Sequence, residues 1–424
     1  MREVPIQQHQ LKNGLRIILS QGADVPVVAV NIGYDVGSRH EEQGRTGFAH
    51  LFEHMMFQGS ANVAKGEHGT LIEAAGGRWN AATWVDHTNY YETLPSHQLE
   101  LALWLEAERL ANLLPAMTQE KLDNQRDVVK NERRRNFDNQ PYGSWDERLH
   151  RLIFPAGHPY HHSTIGSMED LGAASLDDVQ RFFASHYASN NAVLTVAGDF
   201  EADRALEMIS RHFEPIPANS NIPPPPEMAV AETIRREVRE VVPDAVELPR
   251  VYLAYRIPPW GTPDFEPWDV MSDILGAGRA SRLYQRLVRE RRLAQDVSAS
   301  VFPFAFGAAI FVAEATAREG VAGETIERAL AEEVTNLGDA GPTDEELERA
   351  RSLYRTSVAS DLEEVTERAE RLSLYAALFG EPERVNSDVR RYEAVTGAQI
   401  RESWRRLGGG AGNRVVLTFL PKPA

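Results

Sequence analysis

The chain repeats itself, and the repeat restricts what it can fold into. Val251-Tyr252-Leu253-Ala254-Tyr255-Arg256-Ile257 reads as a buried strand, as Val27–Ile32 does. Thr396, Ile400 and Trp404 fall at the same offsets as Ser175, Val179 and Phe183. Asn413-Arg414-Val415-Val416-Leu417-Thr418-Phe419 echoes Asn191-Ala192-Val193-Leu194-Thr195-Val196. Both halves mix strands and helices, which predicts an α+β chain of two homologous domains. At 424 residues the chain is in any case too long for one core. Between the copies, Pro215-Ile216-Pro217-Ala218-Asn219-Ser220-Asn221-Ile222-Pro223-Pro224-Pro225-Pro226 reads as a stiff extended linker. The expected division is therefore 1–215, a linker at 216–228, and 229–424.

The copies differ where chemistry is expected. The first carries Gly47-Phe48-Ala49-His50-Leu51-Phe52-Glu53-His54-Met55-Met56-Phe57. Phe48, Leu51, Phe52, Met55 and Met56 recur at helical spacing, so this stretch is an amphipathic helix. His50 and His54 are four apart and project from one face, where two imidazoles can share a tetrahedral Zn²⁺. Glu53 stands beside them as a general base. H-x-x-E-H is a zinc-peptidase signature, the inverse of H-E-x-x-H. The second copy has Asp269-Val270-Met271-Ser272-Asp273 where the first has its histidines, so one half holds metal and the other does not.

A catalytic zinc needs a third protein ligand. The chain has no cysteine, so that ligand is His, Asp or Glu. A helix expected over Gln119–Phe137 and capped by Thr118 carries Leu122, Val128 and Val129 on an apolar stripe, and Glu132 falls on it. A carboxylate there is expensive unless it binds metal or pairs with one of Arg126, Arg133, Arg134 and Arg135. The histidine pair upstream favours the metal.

Composition excludes several other functions. A formal charge of −17 disfavours nucleic acid and anionic membranes. No apolar run is long enough for a membrane span. The first residues lack a signal-peptide core, so the expectation is cytoplasmic, or periplasmic if a signal has been removed.

With these motifs in view the chain resembles the pitrilysin/insulinase family of inverted zincins. The resemblance rests on His50-Leu51-Phe52-Glu53-His54, on Gln125-Arg126-Asp127-Val128-Val129-Lys130-Asn131-Glu132, and on Gly77-Arg78-Trp79-Asn80-Ala81-Ala82-Thr83 with Thr88-Asn89-Tyr90-Tyr91. It implies one Zn²⁺ per chain held by His50, His54 and Glu132, with Glu53 as base. It implies that Asn80, Ala81, Ala82 and Thr83 form the edge strand that pairs with substrate, although Asn80 also reads as an ordinary strand-end residue. It further implies two α/β-sandwich domains with antiparallel-rich sheets, forming one half of a clamshell that encloses peptides. Family members often carry an acid where this chain has Gln125, which becomes a residue that tunes the site. The other half of the clamshell usually supplies an Arg and, seven residues on, a Tyr. Arg289 matches the first, but Gln295 or Asp296 stands in place of the second.

The expected activity is thus zinc-dependent endopeptidase. The expected partner is a related zinc-less chain that carries both Arg and Tyr, with a homodimer as second choice. A non-catalytic scaffold or receptor of the same fold is the alternative. His158, His161 and His162 read as a structured loop, His87 as a strand-end residue, and Arg133–Arg135 as a solvated helix end.

Overall fold

The first sheet contains β1 (Gln7–Gln10), β2 (Arg16–Gln21), β3 (Val27–Tyr34), β4 (Arg78–Thr83), β5 (Thr88–Pro95) and β6 (Ala192–Gly198). The structure is a computed structural model, and it describes residues 3–22, 25–408 and 411–422. The strand order is β1-β2-β6-β3-β5-β4, and only β2 and β6 run parallel. β3 and β6 are buried almost throughout, as strands covered on both faces must be. Among the described residues β4 pairs with β5 alone and leaves its other edge free.

The helices of this sheet's own half are α1 (Phe48–Met55), α2 (Glu67–Ala74), α3 (Leu99–Asn112), α4 (Gln119–Arg133), α6 (Met168–Ala173), α7 (Leu176–His186) and α8 (Ala202–Phe213); α1 and α2 contact β4, α3 contacts β3 and β5, α7 packs on α1 and α8 on α3. Thr118 accepts from Lys121 N at the start of α4. Beyond Arg133 the helix widens to a five-residue hydrogen-bond repeat over Arg134–Asp138, so the α-helix stops short of the expected Phe137.

The second sheet contains β7 (Val238–Asp244), β8 (Arg250–Ile257), β9 (Ala294–Phe302), β10 (Ala309–Ala317) and β11 (Val415–Pro421), in the order β7-β11-β8-β10-β9. It packs with α9 (Glu266–Gly276), α10 (Gly323–Ala340), α13 (Asp388–Glu393) and α14 (Gly397–Leu407). The repeat extends to the caps. Ser175 and Thr396 each form a capping box with the residue three further on.

The two compact units are not contiguous in sequence, unlike the division expected from the linker. The first comprises Met1–Glu132, His162–Pro226 and Val358–Ser387, and the second Arg133–His161, Glu227–Ser357 and Asp388–Ala424. The reason is that each sheet has a second face to cover. In the first unit that face takes α12 (Val365–Phe379), which buries Val365, Ala369, Leu372, Tyr375 and Ala376. Small residues let it close in: Ala29, Ala197 and Ala369 share one buried cluster, and a Cβ on Gly33 would meet Ser373 Oγ at 2.6 Å. In the second unit, α5 (Trp145–Ile153) from the first half lays Trp145 on Tyr252, with ring centroids 5.2 Å apart and planes within 5° of parallel. α11 (Asp344–Glu363) runs through the crossing at Ser357/Val358. Among the described residues no helix is long and apolar enough to cross a membrane.

Candidate metal centre

Helix α1 is anchored by its apolar side. Phe48, Ala49, Leu51, Phe52 and Met55 are buried, and the Phe52 ring lies 5.2 Å from Phe183 and 4.4 Å from Tyr187. That packing turns His50, Glu53 and His54 the other way. The two imidazoles stand edge to face, 4.8 Å between centroids. On α4 the buried stripe is Leu122, Gln125 and Val129, and the next position along it is Glu132. Val128, expected on this stripe, is 41% exposed, because a stripe spaced 3-4-3 passes through Val129 and misses its neighbour.

Glu132 Oε2 lies 3.4 Å from His54 Nε2 and 3.8 Å from His50 Nε2. Three donors about 2.1 Å from a tetrahedral zinc stand about 3.4 Å from one another, so these separations fit that ion. Gln125 hydrogen-bonds His54, and its amide also donates to Asn124 Oδ1 at 2.9 Å. Glu53 Oε2 accepts from Thr83 Oγ1 at 2.5 Å, which ties the base to the last residue of the free-edged strand. Thr83, expected to meet substrate, thus also orients Glu53.

The charges are set by burial and by each other. Burial and then the neighbouring His54 push His50 down to about 4, so it is a neutral donor. Burial also opposes charge on His54, but its bonds to Glu132 and Gln125 and the charges of Glu53 and Glu132 raise it. Burial raises Glu53 above the usual carboxylate range.

The first unit therefore gathers His50, His54, Glu132, Glu53, Gln125 and Thr83. Asn80, Ala81 and Ala82 lie along β4, where the Asn80 side chain bonds Tyr91. Arg289 belongs to the second unit, where it donates to Gln285 at 3.3 Å. Asp296 accepts from Thr316 Oγ1 at 2.9 Å.

A second set of clustered donors, His68, Glu92 and Glu106, is fully buried and was not anticipated. Its cation comes from the chain itself. Arg109 Nε donates to Glu106 at 2.9 Å, and the guanidinium lies over Tyr90, 4.4 Å from its centroid. His68 sits 3.0 Å from Glu92, pushed down to about 3 by burial and by Arg109. This is an internal ion-pair network, and Arg109 fills the role a metal would have. His158 and His161, expected in a structured loop, bond backbone carbonyls. His158 stacks on Phe154 and sits 3.2 Å from the Met228 carbonyl, and His161 sits 2.8 Å from the Phe154 carbonyl.

Residues 16–164 match the profile described as insulinase (peptidase family M16), and residues 173–354 match the peptidase M16 inactive domain. The chain belongs to peptidase family M16. Within the family it is 29% identical, over 355 residues, to the zinc protease PqqE of Helicobacter pylori, covering 83% of this chain and 79% of that one. A crystal structure of a protease from Helicobacter pylori superposes with a TM-score of 0.92 at 25% identity, each chain covered completely. The periplasmic protease PqqL from Escherichia coli superposes at 0.76 with 21% identity, and there 99% of this chain spans 48% of the other. The two-unit α/β fold is thus the M16 fold. All three donors and Glu53 fall inside the first matched range.

Proposed function

We propose that the chain is a zinc-dependent endopeptidase subunit that cuts peptides or small unfolded proteins within an enclosed chamber. One observation carries this reading: three zinc-type donors within 4.8 Å of one another lie beside a carboxylate that is hydrogen-bonded to a free-edged strand. One zinc per chain, held by His50, His54 and Glu132, would polarise the scissile carbonyl and acidify the attacking water. Glu53 takes the proton of that water and returns it to the leaving nitrogen. Burial, which raises the Glu53 carboxyl, makes the carboxylate a stronger proton acceptor. Thr83 holds the carboxylate in place through both proton transfers. The free edge of β4 offers backbone N–H and C=O groups to an extended peptide, so selection follows size and extended shape.

We further propose that the working enzyme pairs this chain with a related, zinc-less one. The chain spans about half of PqqL, and neither Gln295 nor Asp296 offers the phenol that would follow Arg289. The inactive-domain match favours a scaffold reading only over residues 173–354, a range without the metal donors. Reconstitution tests the proposal. The isolated chain should bind zinc and cleave peptides poorly, and adding the related chain should restore chelator-sensitive cleavage. Full activity of the isolated chain at nanomolar concentration would restore the homodimer. A reconstituted complex with bound zinc and no cleavage would favour the scaffold.

A further inference from the structure

Helix α1 begins without a side-chain cap. Its N-cap is Gly47, at φ +88°, with no side-chain oxygen to offer. The free amides are met from six residues upstream. Glu41 Oε2 accepts from Gly47 N at 2.8 Å, and Oε1 accepts from Ala49 N at 2.7 Å. The Glu41 side chain is completely buried. Its Oε2 lies 2.9 Å from His162 Nε2, which is also 3.1 Å from the Ser38 carbonyl. With two acceptors facing it, Nε2 carries the proton and donates.

The residues after His162 grip the same turn. Asp170 Oδ2 accepts from Thr46 N at 2.9 Å and from Thr46 Oγ1 at 2.6 Å, and Ser167 N donates to Thr46 Oγ1 at 3.0 Å. The two backbones touch so closely that a Cβ on Gly166 would come within 2.3 Å of Gly47 N. The start of α1 is thereby fixed along its axis and about it.

His50 is the third residue of that helix. A divalent cation held there sits near the positive end of the helix dipole, which opposes its binding. A buried carboxylate on the end amides offsets that field.

We propose that Glu41 and His162 are positioning residues of the metal centre. Glu41 fixes the height and rotation of α1 and cancels its positive end. His162 holds the Glu41 carboxylate, and neither side chain touches metal or substrate. The inference rests on the zinc reading of His50, His54 and Glu132 and deepens it.

The test uses the full chain, zinc titrated against a chromophoric chelator, and kcat and KM in the reconstituted enzyme. His162→Phe removes the donor and keeps a ring, Glu41→Gln removes the charge, and His162→Gln keeps a donor. Asn13→Ala is the stability control, because it strips the Phe213 and Ile216 carbonyls of a shared donor elsewhere in the unit. His162→Phe and Glu41→Gln should each weaken zinc at least tenfold and lower kcat with KM within twofold. His162→Gln should restore most of both, and Asn13→Ala should lower the thermal midpoint with zinc affinity within twofold. Zinc affinity in His162→Phe and Glu41→Gln within twofold of wild type, or a loss matched by Asn13→Ala, would overturn the inference and leave the zinc reading standing. A wild-type chain that binds no zinc would overturn both.

Discussion

The relation between His50 and His54 is local: four residues on one helix fix two side chains on one face whatever the rest of the chain does. Glu132 was legible more weakly. Its stripe ran through Val129 and not Val128, yet both versions led to the same carboxylate. Glu132 is only partly buried, with 28% of its side chain exposed, so Glu132→Ala should lose most of the zinc while changing apo stability by less than about 1 kcal/mol. Metal analysis beside a thermal melt checks this, and undiminished zinc content would remove Glu132 from the ligand set. Glu41 and His162 could not have been found in the sequence. Their contact spans more than a hundred positions, and a glutamate six residues before Gly47 is no signal. Trp84 is a residue whose role follows from its setting. It is 52% exposed, the residue after Thr83, and its backbone is held by Ser38 and His87. Losing one apolar contact in a specificity site is worth about tenfold in kcat/KM. Trp84→Ala should therefore lower the preference for apolar over polar peptide side chains by about that factor with zinc content unchanged, as a peptide library would read. An unaltered cleavage profile would leave Trp84 outside the substrate path.

Among the elements, helices and strands were readable and their partners were not. The apolar face of α12 announces that the helix is buried but not against which sheet, so a contiguous division assigned it to its own half. What selects the first sheet is the smallness of Ala29, Gly33 and Ala197, a feature of shape that hydropathy does not encode. Gly33→Ala would force its new Cβ against Ser373 Oγ and should cost the first unit about 1–3 kcal/mol, read as a lower melting midpoint. An unchanged midpoint would mean that the Ser373 hydroxyl turns away or that α12 moves aside. Helix α9, which took the place of the histidine helix in the second copy, shows a different consequence of burial. Burial raises Asp269 to about 6, against the opposing bond from Tyr392, and burial together with Asp269 raises Asp273 to about 7. Both values exceed the ordinary carboxylate value of about 4, so the folded unit binds protons that the unfolded chain has already released. The resulting stability is complete below about pH 4 and is lost progressively as pH rises from there to about 7. Asp273→Asn should raise stability at pH 8 by about 4 kcal/mol and change it little at pH 4. Equal effects at the two pH values would show that Asp273 does not titrate in this range.

Taken whole, the chain is a duplicated fold in which, among the described residues, the clusters of three metal-type donors all lie in the first copy. The duplication was visible from the echo of Asn191–Val196 in Asn413–Thr418 and from the paired caps at Ser175 and Thr396, because caps and strand patterns are local. The exchange of α5 and α12 was not, because it depends on how two sheets share four faces. Two crossings abut the candidate site: Glu132 is the last residue of the first unit before the chain leaves it, and His162 is the first on return. The third donor and the support of the α1 cap therefore depend on the course of the same excursion. All of this matters to function only if Glu53 is the base of a zinc peptidase, and one comparison tests that claim most directly. Zinc content and peptide turnover are measured side by side for the wild-type enzyme and Glu53→Gln, each reconstituted with its related chain. One zinc per chain is expected in both, with a loss of at least a hundredfold in kcat in the variant, the lower range of a general base's contribution, about 10²–10⁴. Turnover within tenfold of wild type at full zinc occupancy would contradict that claim.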